Sequence, residues 1–155
     1  FIEEIKNDIE FKLVRQNEID SIYWPRLDTI THGYINWLWH LDSILLFINA
    51  FDNPYQGALT FLNGFKVHLK NCKIIKDKVF HPFQTGLIYK KSKLELFVSS
   101  AEGTLIIKEV ISEEGENIFN KIKIGERFYT PTQFLDKSLA TKIVFTPEGK
   151  KAFNN

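Results

Sequence analysis

Phe47-Ile48-Asn49-Ala50-Phe51-Asp52-Asn53-Pro54-Tyr55-Gln56-Gly57-Ala58 separates two kinds of pattern in this chain. Before it, Ile44, Leu45, Ile48 and Phe51 recur at helical spacing across Leu41 to Phe51, which predicts a buried helix. Pro54 ends that helix, because the residue before a proline is pushed out of the helical region. After it the period falls to two. Phe65, Val67 and Leu69 alternate with Lys66, His68 and Lys70, and Leu94, Leu96 and Val98 alternate with Glu95 and Phe97. Leu105 to Val110 is a further apolar run, and turn signals at Asn63-Gly64, Pro82 to Gly86 and Glu102-Gly103 separate the three. A small antiparallel barrel of about five short strands is therefore expected from Gly57 onward.

Upstream, Ile2, Ile5, Ile9 and Leu13 fall near one face of an expected amphipathic helix over residues 1–14, with Glu3, Glu4, Asp8 and Glu10 largely elsewhere. Residues 15–33 are irregular and polar, broken by Pro25 and Gly33. Tyr34 to Trp37 reads as a short strand. In the tail, Thr130-Pro131-Thr132-Gln133 precedes Phe134, Leu135 and Leu139. That order predicts a short helix opened by a capping box, with proline at its first position.

With 155 residues, 44% hydrophobic and 14% aromatic, the chain can bury a real core as one domain or two small ones. No apolar run approaches the roughly 20 residues of a membrane span, and the acidic opening segment is unlike a signal peptide. A cytoplasmic location is the default expectation. The single cysteine, Cys72, has no internal partner and sits among Val67, Leu69 and Ile74-Ile75, so a half-buried, inert thiol is expected. The sequence contains no methionine, so Phe1 is expected to lie inside a longer protein.

The chemical inventory is thin. His32, His40, His68 and His81 fit no metal-ligand spacing, and GxSxG, Walker and GxGxxG motifs are absent. Glu113-Glu114 precedes Gly115 in a polar stretch and reads as a solvated corner. Charge is more informative. From Gly64 to Leu94, eight lysines face one acid, Asp77, so the segment carries +7 while the chain as a whole carries +1. A basic barrel face of this kind could track a phosphate backbone, and Lys66, Lys70, Lys73, Lys90 and Lys91 are its candidate nucleic-acid contacts. The alternative is that edge strands carry lysine to block sheet-to-sheet association.

Several of these segments, in this order, resemble the N10-formyltetrahydrofolate-dependent formyltransferase family in its C-terminal half. The resemblance rests on Gly33 to Trp37, on Ile48 to Phe51 at a helix end, and on Pro54-Tyr55-Gln56-Gly57-Ala58. It covers most of residues 15–110. A weaker likeness through Gly125-Glu126-Arg127-Phe128-Tyr129-Thr130-Pro131 resembles the closing segment of sugar N-formyltransferases. The resemblance implies an α+β fold: residues 1–56 would be the end of a Rossmann-like catalytic domain with a linker helix. Residues 57–155 would be a small barrel resembling an OB fold, followed by a C-terminal helical tail.

The implied activity is transfer of a formyl group from N10-formyltetrahydrofolate to a primary amine, with a nucleotide-linked amino sugar as the leading acceptor. A methionyl-tRNA formyltransferase, whose barrel would hold tRNA, is the alternative, and a stand-alone nucleic-acid-binding barrel is a third. The family's Asn, His and Asp act from an upstream part, so no catalytic residue is assigned here and the chain alone is expected to be inactive. Its expected partners are that N-terminal catalytic half and the acceptor, with a second copy of the chain as a further option. Gln16, Tyr23, Arg26, Asn49 and Tyr55 are the candidates for lining the substrate entrance. Asn36, Asn49 and Gln56 stand where the family usually has Asp, Arg and Pro. Replacing the arginine removes a fixed charge and a fork of donors.

Overall fold

The computed structural model describes residues 14–154 apart from 16, 18, 20, 23 and 77. The expected opening helix, with Ile2, Ile5, Ile9 and Leu13, lies outside the described residues, as do Gln16 and Tyr23. In chain order the elements are α1 (Thr29–His32), α2 (Leu41–Ala50), β1 (Ala58–Leu62), β2 (Phe65–Ile75), β3 (Ile88–Lys91), β4 (Leu96–Ser100) and β5 (Gly103–Ser112). They continue with β6 (Phe128–Tyr129), α3 (Thr132–Ala140), β7 (Thr141–Thr146) and β8 (Gly149–Asn154).

β1 to β6 form one antiparallel sheet in the order β3-β4-β5-β2-β1-β6. Alternation sets the register: Leu69 opposes Ala58 and Val110, and Cys72 opposes Ile107, so Val67, Leu69, Leu105 and Ile107 share the inner face. The sheet curls until its edges meet. The Phe128 amide donates to the Gly86 carbonyl at 2.9 Å, Ile88 to Glu126 at 2.9 Å, and Gly125 to Ile88 at 2.8 Å. These bonds pair both sheet edges, giving the small OB-like barrel expected from the period-two pattern. Gly86 sits in the seam at φ +82°, and a Cβ there would lie 2.1 Å from the Phe128 carbonyl oxygen.

α2 closes one end of the barrel. Leu41, Ile44 and Ile48 are fully buried and join Phe51 in the same apolar cluster as Leu69, Leu96 and Phe128, whereas Leu45 is only half-buried. The segment before α2 is fixed by Trp37, whose ring stacks on Phe128 at 5.9 Å. Its indole N–H donates to the Thr60 hydroxyl at 2.9 Å, and that hydroxyl donates to the Tyr129 carbonyl at 3.1 Å. Burying an indole requires such a partner.

Three local expectations change. Tyr34 to Trp37 is not a strand but a single parallel bridge from Tyr34 to Leu59. α3 begins at Thr132 with Pro131 as its N-cap and no side-chain cap; the Thr130 hydroxyl lies 3.2 Å from that of Thr60 instead. The tail does not end as a helix but turns into the β7–β8 hairpin. Cys72 is half-buried and contacts the core, and burial reinforced by the Asp52 and Glu109 carboxylates pushes its thiol pKa up, which suppresses the reactive thiolate.

Candidate functional site

The Asp52-Asn53-Pro54-Tyr55 corner is built by tertiary contacts as well as by its own sequence. The Tyr55 amide donates to the Asp52 carbonyl at 2.8 Å, and that of Gly57 to Phe51 at 2.9 Å. Gly57 holds φ +107°, and a Cβ there would meet Lys70 Cγ at 2.7 Å, so the position requires glycine. β2 then clamps the corner. Lys70 Nζ donates to Asn53 Oδ1 at 2.7 Å and to the Tyr55 carbonyl at 2.9 Å, and the Asn71 amide donates to Asp52 at 2.8 Å. Tyr55 remains 55% exposed beside this frame, and Asn49 is exposed at the end of α2.

Arg26 lies elsewhere, in the wall of a cleft of about 660 Å³. One side of this cleft comes from residues 25–39 and Phe47, and the other from Leu135, Leu139 and the start of β7. Neither Asn49 nor Tyr55 lines it, so the structure does not gather the sequence candidates into one site. The cleft's floor is aromatic: Tyr34 packs against Phe134 at 5.3 Å, and Trp39 meets Phe47 edge-on at 5.0 Å.

Polar contacts hold the two sides together. His32 Nδ1 accepts the Asp28 amide at 2.8 Å, so Nε2 carries the proton and donates to the Thr141 carbonyl at 2.9 Å. Asp28 accepts from the Thr31 amide and hydroxyl and from Lys150 at 2.7 Å. Burial alone would raise its pKa, but the Lys150 and Thr31 hydrogen bonds outweigh that and hold it below the usual carboxylate range. The Arg26 guanidinium lies over the Phe145 ring at 4.5 Å.

The candidate nucleic-acid lysines are engaged one by one. Lys66 pairs with Glu113 at 2.9 Å and Lys73 with Glu95 at 2.8 Å, while Lys70 clamps the corner. Lys91 donates to the Phe119, Asn120 and Ile122 carbonyls at 2.9, 3.3 and 2.7 Å. Lys90 lies over Phe97 at 4.6 Å. The other histidines also make structural contacts: His40 with Glu102, His68 with the Gly57 carbonyl, and His81 with the Phe83 amide. Among the described residues no three His, Cys, Asp or Glu side chains group as metal ligands, and no helix is long and apolar enough to cross a membrane.

The comparisons agree with the corner and the barrel. The model of the "Formyl transferase, C-terminal domain" family matches residues 29–121. The chain belongs to that family. A curated relative, "Methionyl-tRNA formyltransferase" of Acetivibrio thermocellus, is 30% identical over 103 residues, covering 66% of this chain. The chain spans about a third of that relative's length, 32%. The family match takes in α1 through β5, including the corner and the near wall of the cleft, while α3 and β7 of the far wall follow its last residue. Leu135, Leu139 and Lys142 are the wall residues that sequence reasoning missed. They lie about a hundred positions from Arg26, and no local spacing connects such distant segments.

Proposed function

We propose that this chain is the C-terminal part of a formyltransferase that moves a formyl group from N10-formyltetrahydrofolate to the primary amine of a nucleotide-linked amino sugar in the cytoplasm. Residues 1–56 finish the catalytic part and its linker helix, and 57–155 supply the barrel and tail. Arg26, Asn49 and Tyr55, with Gln16 and Tyr23, line the substrate entrance. Catalysis by the family's Asn, His and Asp is assigned to the upstream part, and this chain alone is inactive.

The observation that carries the small-acceptor reading is the state of the basic face. Lys66, Lys70, Lys73 and Lys91 are committed to carboxylates or carbonyls within the barrel. Phosphate binding draws its strength from cations that release counterions, and ammonium groups already paired within the protein contribute less of it. The concave feature bearing a cation, the Arg26 cleft, has the dimensions of a small-ligand pocket instead. A second reading, with tRNA as acceptor, is favoured by the name of the curated relative.

The full-length enzyme decides between them. Supplied with N10-formyltetrahydrofolate, it is expected to consume the donor with an amino sugar nucleotide and not with initiator tRNA. Turnover with initiator tRNA alone would overturn the reading.

A further inference from the structure

The cleft around Arg26 carries a more specific chemistry than a wall. Its lining holds two cationic side chains, Arg26 and Lys142, and no carboxylate, which sets a positive potential in a largely apolar groove. The cations come from opposite walls, Arg26 from the segment before α1 and Lys142 from β7. Arg26 is stacked on Phe145, and a guanidinium held by its face keeps its in-plane N–H donors for an oxyanion. Asn36 joins the lining with its Oδ1 already accepting the Leu38 amide at 3.0 Å, which leaves the amide NH2 as a donor toward a ligand carbonyl. Trp39 is 37% exposed at the same groove, its ring set edge-on against Phe47. An aromatic surface, an amide donor and two cations together match a planar heterocycle joined to a diphosphate.

We propose that this cleft binds the nucleoside diphosphate portion of a ligand, with the base against Trp39, a base carbonyl at Asn36, and the diphosphate between Arg26 and Lys142. The ligand class rests on the amino sugar nucleotide reading above. The far wall, from α3 and β7, follows the end of the family match, so the cleft is a property of this chain's tail as much as of the shared domain.

The test uses the 155-residue chain with thymidine diphosphate and uridine diphosphate as probes, followed by calorimetry and by quenching of tryptophan fluorescence. One of the two is expected to bind at least about tenfold more tightly than pyrophosphate, since stacking a base on an aromatic ring contributes about 1–3 kcal/mol. Trp39→Ala should weaken binding about tenfold, with Trp39→Phe restoring most of it. Arg26→Gln and Lys142→Gln should each weaken it and flatten its salt dependence, whereas Lys93→Gln, outside the cleft, should not. Each variant's thermal midpoint is recorded so that loss of binding is separated from loss of fold. No binding of either nucleotide, affinity equal to that of pyrophosphate, or binding unchanged in Trp39→Ala and Arg26→Gln would each overturn the proposal. Its failure is distinct from failure of the enzyme reading. Sugar formylation by the full-length enzyme without nucleotide binding by this chain sinks the cleft alone. Nucleotide binding here together with formylation of tRNA alone sinks the acceptor reading and leaves the cleft.

Discussion

Lys70 shows how far a residue's role departs from its charge. Its side chain is 13% exposed, and its ammonium joins Asn53, the Tyr55 carbonyl and, at 3.8 Å, the Asp52 carboxylate. Removing it strands two acceptors and loosens the corner from β2. Lys70→Ala is expected to cost about 1–3 kcal/mol, seen as a lower urea midpoint with the slope unchanged. A midpoint equal to that of the parent protein would mean that the corner holds itself. Lys91 is used in the same way at three carbonyls, so the lysine density of this stretch records anchoring and pairing more than it records an open binding face.

At the scale of elements, α2 depends on a residue of another element for its start. Its N-cap, His40, makes no side-chain cap; Glu102, from the β4–β5 turn, accepts the Leu41 amide at 3.1 Å and also bonds His40. A carboxylate at this end also meets the positive end of the helix dipole. The hydrogen bond to Glu102 raises the His40 pKa above its ordinary 6.5, and the same bond, followed by that from Leu41, lowers Glu102 below its ordinary 4.5. A raised histidine stabilises fully below 6.5 and loses that contribution as pH rises through its folded value. A lowered carboxylate stabilises fully above 4.5 and loses it as pH falls through its folded value. The pair therefore contributes most between 4.5 and 6.5. Glu102→Gln should lower the thermal midpoint most within that window, the gap narrowing toward about pH 8 as His40 deprotonates. A gap that stays constant with pH would show that the ion pair is inert.

For the whole molecule, the barrel seam is decisive. Gly86 combines φ +82° with a carbonyl contact that no side chain tolerates, so Gly86→Ala must displace β6 from the β3 edge. It is expected to cost at least about 2 kcal/mol. Urea unfolding measures this, and a near-neutral substitution would show that closure is not needed for stability. The β7–β8 hairpin is joined to this body mainly by the His32, Asp28 and Arg26 contacts and by the packing of Phe134 on Tyr34 and Phe61. Closure of the barrel and attachment of the hairpin are thus separate properties.

The sequence by itself determined the helix stripe from Leu41 to Phe51, its stop at Pro54, the alternating strands and the family, because periodicity and the corner motif are local and reflect burial directly. The half-buried state of Cys72 was legible for the same reason. The β7–β8 hairpin had only short-range signals, Val144 and Phe145 before Pro147 and Gly149, and the helical cue at Thr130 to Gln133 masked them. Only the tertiary structure decided which lysines are spent on carbonyls, that Thr130 turns to Thr60 and away from its helix, and that Arg26 faces Leu139 and Lys142 across one cleft. Those outcomes depend on residues far apart in sequence meeting in space. The energy of each such contact is set by geometry that no local pattern encodes.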